Sequence, residues 1–245
     1  MPEGPSIVIL KEEVQPFVGK KVIQASGNVK TFEPEILIGK KVVDFRSWGK
    51  HFLILFPHIT LRAHFLMFRT YRINEKKDAA PRLSLQFAGG GELNFYSTAI
   101  RPLEGSPDDI YDWSTDVMSD QWDSRKALKK LRATPDAEAG DVLLDQTIFS
   151  GVGNIIRNEV LYRIKVHPES RIGALPAKKL RELVAEAVNY SFDFLRWKKE
   201  FTLRKHWLAH KQKTCSQCSG PILKEYPGKA KRRSFFCGAC QVLYA

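Results

Sequence analysis

The chain has 245 residues, 43% of them hydrophobic and 27% charged, with a formal net charge of +12. That length supports one large domain or two smaller ones with real cores, and the apolar fraction excludes a disordered chain. The charge points to a polyanionic partner, nucleic acid or an anionic membrane. No stretch approaches the roughly 18 apolar residues of a membrane span, and the N-terminus lacks a secretory pattern, so a soluble cytoplasmic protein is expected.

The opening residues, Met1-Pro2-Glu3-Gly4-Pro5, carry chemistry if Met1 is removed, as a small residue behind it normally permits. Pro2 then presents a secondary amine. A free α-amino group titrates near about 8, against about 10.4 for a lysine ammonium, so far more of it is neutral and nucleophilic at neutral pH. Condensation with an aldehyde carbon gives a charged iminium, which draws electrons strongly, and the adjacent Glu3 can move protons. The plain alternative is a frayed end with a solvated glutamate.

Ile7, Leu10, Val14 and Phe17 recur at helical spacing until Pro16 and Gly19 end the pattern, which predicts a helix over 7–18. Runs at 41–44, 52–56, 61–65, 70–74, 83–87 and 92–96 read as short strands between Gly, Pro and Asn turns, the pattern of a β-sandwich. Residues 104–123 hold seven acids and no base, a solvated linker or surface loop. Beyond it the period turns helical, with helices expected over 124–132, 140–146, 152–164 and 177–196. The segment from Asp145-Gln146 through Gly151-Val152-Gly153-Asn154 to Glu159 sets two glycines and Asn154 at a helix entrance. Unpaired N–H groups and the positive dipole end suit a phosphate there. Alone, this is an ordinary helical hairpin.

All four cysteines fall in the last 31 residues, as Cys215-x2-Cys218 and Cys237-x2-Cys240 with 18 residues between the pairs. This is the spacing of a four-thiolate zinc site, two tight turns joined by a hairpin. A disulfide pair is the weaker reading in a reducing compartment. One structural zinc ion is expected, and four thiolates leave no coordination position for catalysis. Residues 196–233 carry twelve Lys or Arg against Glu200 and Glu225, nearly all the excess charge, interleaved with Trp197, Phe201, Trp207 and Tyr226. Lys229, Lys231, Arg232 and Arg233 fall on the hairpin, where a two-stranded ribbon can enter a groove or grip a phosphate.

Taken in order, the Pro2-Glu3-Gly4-Pro5 start, the Asp145-to-Asn154 motif and the terminal ribbon resemble the formamidopyrimidine-DNA glycosylase and endonuclease VIII family over essentially the whole chain. The resemblance implies an α+β fold: an N-terminal β-sandwich with an N-terminal helix over 1–115, a helix-two-turns-helix domain over 116–212 and a zinc-ribbon finger over 213–245. It implies Pro2 as nucleophile, Glu3 as proton shuttle and Lys50, on a strand, as the assisting lysine. Asn154 and Arg232 correspond to phosphate-binding residues, with Arg233 the adjacent candidate. Leu66, Met67 and Phe68 align with the loop that fills the hole left by an extruded base, an apolar wedge. Without the resemblance, Lys50 reads as a strand-end lysine facing water and 66–68 as core strand.

Departures from the family pattern refine the expectation. Ser6 stands where many members carry glutamate, the loop that precedes the ribbon in 8-oxoguanine enzymes has no counterpart between Trp197 and Thr214, and no Arg-Phe pair follows Tyr96. These favour the endonuclease VIII branch, whose usual substrates are oxidised pyrimidines. The implied function is a bifunctional DNA glycosylase and abasic-site lyase of base excision repair, acting by β,δ-elimination on damaged double-stranded DNA as a monomer, and nucleoid-associated if bacterial. An 8-oxoguanine and formamidopyrimidine enzyme, and a non-catalytic damaged-DNA-binding protein on the same scaffold, are the alternatives.

Overall fold

The computed structural model describes residues 2–66 and 70–245. The chain divides into two compact units, Met1–Tyr111 and Asp112–Ala245.

In the first unit, helix α1 spans Gly4–Glu13, starting earlier than its apolar period suggests. Pro5 lies in the first turn, where its fixed φ suits the helix and its missing N–H is not needed. After Glu13, Pro16 limits the chain to a 3-10 turn over Gln15–Phe17. Among the described residues eight strands follow: β1 (Val22–Ser26), β2 (Asp44–Trp48), β3 (His51–Phe56), β4 (Ile59–Phe65), β5 (Tyr71–Ile73), β6 (Leu83–Phe87), β7 (Glu92–Phe95) and β8 (Thr98–Leu103). They form two antiparallel sheets, β1-β6-β7-β5 and β2-β3-β4-β8. The predicted 41–44 strand moves to β2, and Lys41 makes only an isolated bridge to Lys21. Strand β1 escapes the sequence pattern because an irregularity between Val22 and Gln24 breaks its alternation, and β8, at a sheet edge, carries Pro102, which an edge accommodates.

Alternation along β3, β4 and β6 turns Phe52, Ile54, Leu61, Ala63, Phe65, Leu83, Leu85 and Phe87 into one buried cluster, closed by Ile7 and Leu10 of α1 and by Val14 at its C-cap. The rings of Phe52, Phe65 and Phe95 meet at centroid distances of 6.1 to 6.5 Å, within the range of favourable aromatic packing. A one-turn helix, α2 (Pro107–Ile110), is capped by Ser106, whose Oγ accepts from the Asp108 N–H.

The second unit contains α3 (Ser124–Arg132), α4 (Ala139–Val142), α5 (Asn154–Arg163) and α6 (Ala177–Lys199). Its core gathers Leu131, Leu143, Phe149, Ile156, Val160, Leu183, Ala187, Tyr190 and Phe194. The acidic stretch is more than a solvated linker here. Asp123 caps α3 through two backbone N–H groups, Asp116 is buried and accepts from the Met118 N–H, and Asp112 pairs with Lys126 at 2.7 Å. The predicted 140–146 helix shortens to the single turn of α4. Gly140 there donates to the Pro168 carbonyl at 2.8 Å, so close that an added Cβ would stand 3.0 Å from that oxygen.

Strands β9 (Leu223–Glu225) and β10 (Ser234–Phe236) make the terminal hairpin. The hairpin belongs to the second unit because it shares a small core with α5, in which Tyr162 joins Ala209, Cys215, Ile222, Phe235 and Cys237. Among the described residues no helix is long and apolar enough to cross a membrane.

Candidate active site and nucleic-acid interface

Pro2 is buried and Glu3 only 4% exposed, both immediately before α1. Glu3 occupies the N-cap position, yet its side chain makes no capping bond; its backbone carbonyl accepts from the Ser6 N–H at 2.8 Å. A carboxylate beside the proline nitrogen is therefore not consumed in holding the helix end. Ser6 is itself buried, and its Oγ has no hydrogen-bond partner among the described residues.

Helix α1 packs on β2 and β3, and the turn joining those strands holds Lys50. Trp48 pairs with His51, leaving Gly49-Lys50 as a two-residue loop. Gly49 has φ +52°, the positive value required at the first central position of a type II′ hairpin turn. Lys50 thus lies in the turn, one residue before the strand on which the sequence placed it. The turn matters because it projects the side chain at the sheet's end instead of committing it to one face.

Around this turn the sequence reading overlooked a cluster. Trp48, His51, His64 and Tyr111 pack together, with His51 and His64 opposite one another across β3 and β4 at a ring distance of 5.3 Å. Burial holds His51 down at about 4, assisted by the charges of Arg62, His64 and Lys50, and burial followed by Lys50 and Arg62 lowers His64. Both imidazoles are therefore neutral at physiological pH, so Lys50 stands beside polar rings and not beside two more cations. Leu66 follows β4 and is 56% exposed; Met67 and Phe68 lie outside the described residues.

In the second unit the 145–154 motif is a braced turn. The Gln146 amide donates to the carbonyls of Leu144 and Val152 and accepts from the Gly151 N–H. Gly151 has φ +99°, whereas Gly153 has an ordinary negative φ, so the conformational need for glycine falls on the first of the pair. Asn154 opens α5. Its Nδ2 donates to the Arg233 carbonyl at 2.9 Å.

That bond begins a polar stripe, Asn154, Asn158 and Tyr162, spaced four residues apart along one helix face. Asn158 accepts from the Phe235 N–H, and Arg157, 1% exposed, reaches Ser234 Oγ at 2.6 Å and the Arg232 carbonyl at 3.3 Å. Glu159 is fully buried and accepts from the N–H groups of Leu208, Ala209 and His210 at 2.7 to 2.9 Å. The signal in the sequence was a set of polar and charged residues inside an apolar helix, whose partners are backbone and side-chain groups on the ribbon or its approach.

These contacts seize the backbone at 232–235 and leave the arginine heads outward. Arg233 turns onto Tyr226, donating to its hydroxyl at 3.2 Å. Arg232 is exposed and its side chain has no bond or ion pair among the described residues, so it is the better placed of the two to meet a phosphate. Asp141 fixes the other end of the hairpin loop by accepting from the Lys229 and Ala230 N–H groups.

The four cysteine sulfurs lie within 4.8 Å of one another, with Cys215–Cys240 at 3.8 Å and Cys218–Cys237 at 3.5 Å. Four thiolates about 2.3 Å from a central tetrahedral ion would stand about 3.8 Å apart. The cluster is thus close enough to bind one metal ion. Tyr162 adds a phenol 3.0 Å from the Cys215 sulfur.

The first unit is thus a sandwich with a proline–glutamate start, and the second combines a helical core, a braced glycine turn and a basic four-cysteine hairpin. The profile described as the formamidopyrimidine-DNA glycosylase H2TH domain matches residues 114–191. Mouse endonuclease 8-like 2 is 34% identical over 180 residues, 71% of this chain but 52% of its own length, so the match spans about half of that relative. Bovine endonuclease 8-like 2 is 26% identical, with 98% of this chain and 96% of its own covered. Among solved structures, a complex of Lactococcus lactis Fpg with DNA containing an oxidized pyrimidine superposes with a TM-score of 0.84 at 21% identity, covering 98% of this chain and 99% of that one. A viral DNA glycosylase gives 0.82 at 19% identity, covering 98% and 100%. The chain belongs to the formamidopyrimidine-DNA glycosylase and endonuclease VIII family.

Proposed function

We propose that this chain is a DNA glycosylase of base excision repair with abasic-site lyase activity, preferring oxidised pyrimidines in duplex DNA and working as a monomer. The observation that carries the reading is Glu3, buried and adjacent to Pro2 at the end of a helix packed on the hairpin whose turn bears Lys50. The oxidised-pyrimidine preference draws support from the sequence departures at Ser6 and 197–214, which set the chain apart from the 8-oxoguanine pattern.

A base cannot be attacked inside the stack, so the nucleotide is extruded first, most cheaply where damage has weakened its pair. The Pro2 nitrogen bonds to C1′ of the deoxyribose, and the C1′–base bond breaks with its electron pair leaving on the base. The departing base takes up a proton, and the amine's own N–H proton passes to Glu3, which delivers it to the ring oxygen as the bond from C1′ to that oxygen breaks; the nitrogen lone pair then closes a charged C1′=N iminium. That charge acidifies C2′. Loss of a C2′ proton expels the 3′ phosphate, and a second elimination releases the 5′ phosphate. Lys50, kept beside neutral imidazoles, orients or protonates these groups, while Asn154 and Arg232 hold the backbone.

Cys215, Cys218, Cys237 and Cys240 would hold one zinc ion, whose chemistry is to tie the ribbon together. Removing it by chelation, or substituting Cys237→Ser, weakens DNA binding while the N-terminal unit stays folded.

The test is borohydride trapping on a duplex with an abasic site, comparing the protein with Pro2→Gly and checking Met1 removal by intact mass. A covalent adduct at residue two, lost in the variant, is expected. No adduct from a protein with a free Pro2 amine overturns the enzyme reading in favour of DNA binding alone. Relative cleavage of thymine-glycol and 8-oxoguanine duplexes then decides substrate preference.

A further inference from the structure

Helix α6 ends in a knuckle whose tip serves no purpose in the fold. The Phe201 N–H bonds the Lys198 carbonyl and the Thr202 N–H bonds the Trp197 carbonyl at 2.8 Å, a left-handed helix terminus of the kind that normally takes glycine. Phe201 has φ +58°, a conformation that residues with bulky side chains seldom adopt. The ring meanwhile is 96% exposed. Other exposed large apolar residues among those described reach at most 56%. Strain that brings no burial is a reason to look for a ligand.

The surroundings say which kind. Four cations, Lys198, Lys199, Arg204 and Lys205, lie within four residues of Phe201 against Glu200 alone, while Arg196 just before them pairs with Asp193 at 2.7 Å. The knuckle beneath is well braced: Trp197 is 8% exposed and stacks on His206 at 4.0 Å and 7°, with the Arg163 and Arg196 guanidinium groups each 5.7 Å from its ring centre. A membrane or an apolar protein groove would ask for a broad apolar area, which one ring does not supply. A ring set among cations matches a polyanion that carries flat, stackable groups. Inside a duplex both faces of each base are already covered, so away from its two ends an unpaired base is what offers a face to it.

We propose that Phe201 is a stacking platform for an unpaired nucleobase, with the neighbouring cations on its flanking phosphates, which gives the protein a single-strand contact distinct from the Asn154 and Arg232 grip. This rests on the DNA reading above and extends it to a second nucleic-acid subsite.

The experiment measures anisotropy of a fluorescein-labelled oligothymidylate of about 15 nucleotides, within the site sizes of such platforms, and of an undamaged blunt duplex of the same length at one salt concentration. Wild type is compared with Phe201→Ala, Phe201→Gly and Phe201→Trp. Loss of the ring is expected to weaken single-strand binding roughly 5- to 150-fold, with duplex binding changed less than about threefold and Phe201→Trp restoring the single-strand value. Phe201→Gly removes the ring and the backbone strain together, so its loss of affinity cannot come from misfolding. Unchanged single-strand affinity in both ring-less variants, equal losses on both DNAs, or a wild type that does not bind the single strand overturns the proposal. Wild-type borohydride trapping run alongside separates this failure from failure of the enzyme reading, which predicts an adduct whether or not Phe201 stacks.

Discussion

Substituting Tyr162→Phe deletes one oxygen from beside the four-cysteine cluster and leaves the packing alone. The phenol is 2% exposed and lies 3.0 Å from Cys215 Sγ and 3.3 Å from Ser216 Oγ. With metal bound the sulfur is a thiolate, so the phenol must be the donor. A hydrogen bond to a charged acceptor is worth about 1.5–3 kcal/mol, and at this burial water cannot replace it. Converted, that is roughly a 10- to 150-fold loss in zinc affinity, of the size found when groups that bond metal ligands are removed. The metal-free variant no longer buries a hydroxyl, which offsets part of the loss and places the expectation near about tenfold. Competition against a chromophoric chelator at fixed pH measures it. A cobalt-substituted sample supplies a second reading, because a thiolate without its donor shifts the sulfur-to-metal charge-transfer band to lower energy. Affinity within about threefold of wild type together with an unmoved band would refute the argument, and would assign the phenol proton to Ser216.

Three further perturbations test other parts of the account. His51 falls from 6.5 to about 4 on folding, chiefly by burial and then through Arg62, His64 and Lys50. The unfolded chain therefore binds the extra proton between those pH values, so this contribution to stability is complete above pH 6.5 and fades as pH falls toward 4, by at most about 3 kcal/mol. Urea unfolding across that window should show a shallower loss in His51→Gln than in wild type, and parallel curves would sink the idea. Gly228→Ala places a Cβ 2.6 Å from the Asp141 carboxylate at a residue with φ +76°. Backbone strain and a disturbed charged hydrogen bond together should destabilise the second unit by about 2–4 kcal/mol. Because the clash is with Asp141, the same change in an Asp141→Ala background must cost measurably less. For DNA affinity, Arg232→Ala should lower the slope of log affinity against log salt by about 0.9 as one phosphate contact is lost. Arg233→Ala should lower it less, since that side chain already engages Tyr226, and the opposite ranking would exchange their roles.

Much of the site is written in local patterns. A proline and glutamate behind Met1, two Cys-x2-Cys pairs and a glycine-bearing helix entrance are recognisable because each motif depends on residues close in sequence, whose geometry is set by turns and helix ends. Alternating apolar runs likewise announced the central strands of the sandwich, where both ladder and core constrain every second residue. Strands β1 and β8 lack that alternation: β1 is broken by an irregularity between Val22 and Gln24, and β8 carries Pro102, which its edge position tolerates.

Only the tertiary structure decided what the polar residues of α5 are for. Arg157, Asn158, Glu159 and Tyr162 find their partners at Ser234, Phe235, Leu208 to His210 and Cys215, about fifty to eighty residues away along the chain. Nothing local in a helix specifies such partners. The same holds for His51 and His64, whose pairing across two strands and burial near Lys50 make them neutral. Composition and spacing determined which chemistries the chain carries, because bond lengths and turn geometry act over a few residues. Which carbonyl is gripped, which arginine is left outward and which histidine loses its proton depend on burial and on distant charges, and those exist only once the chain has folded.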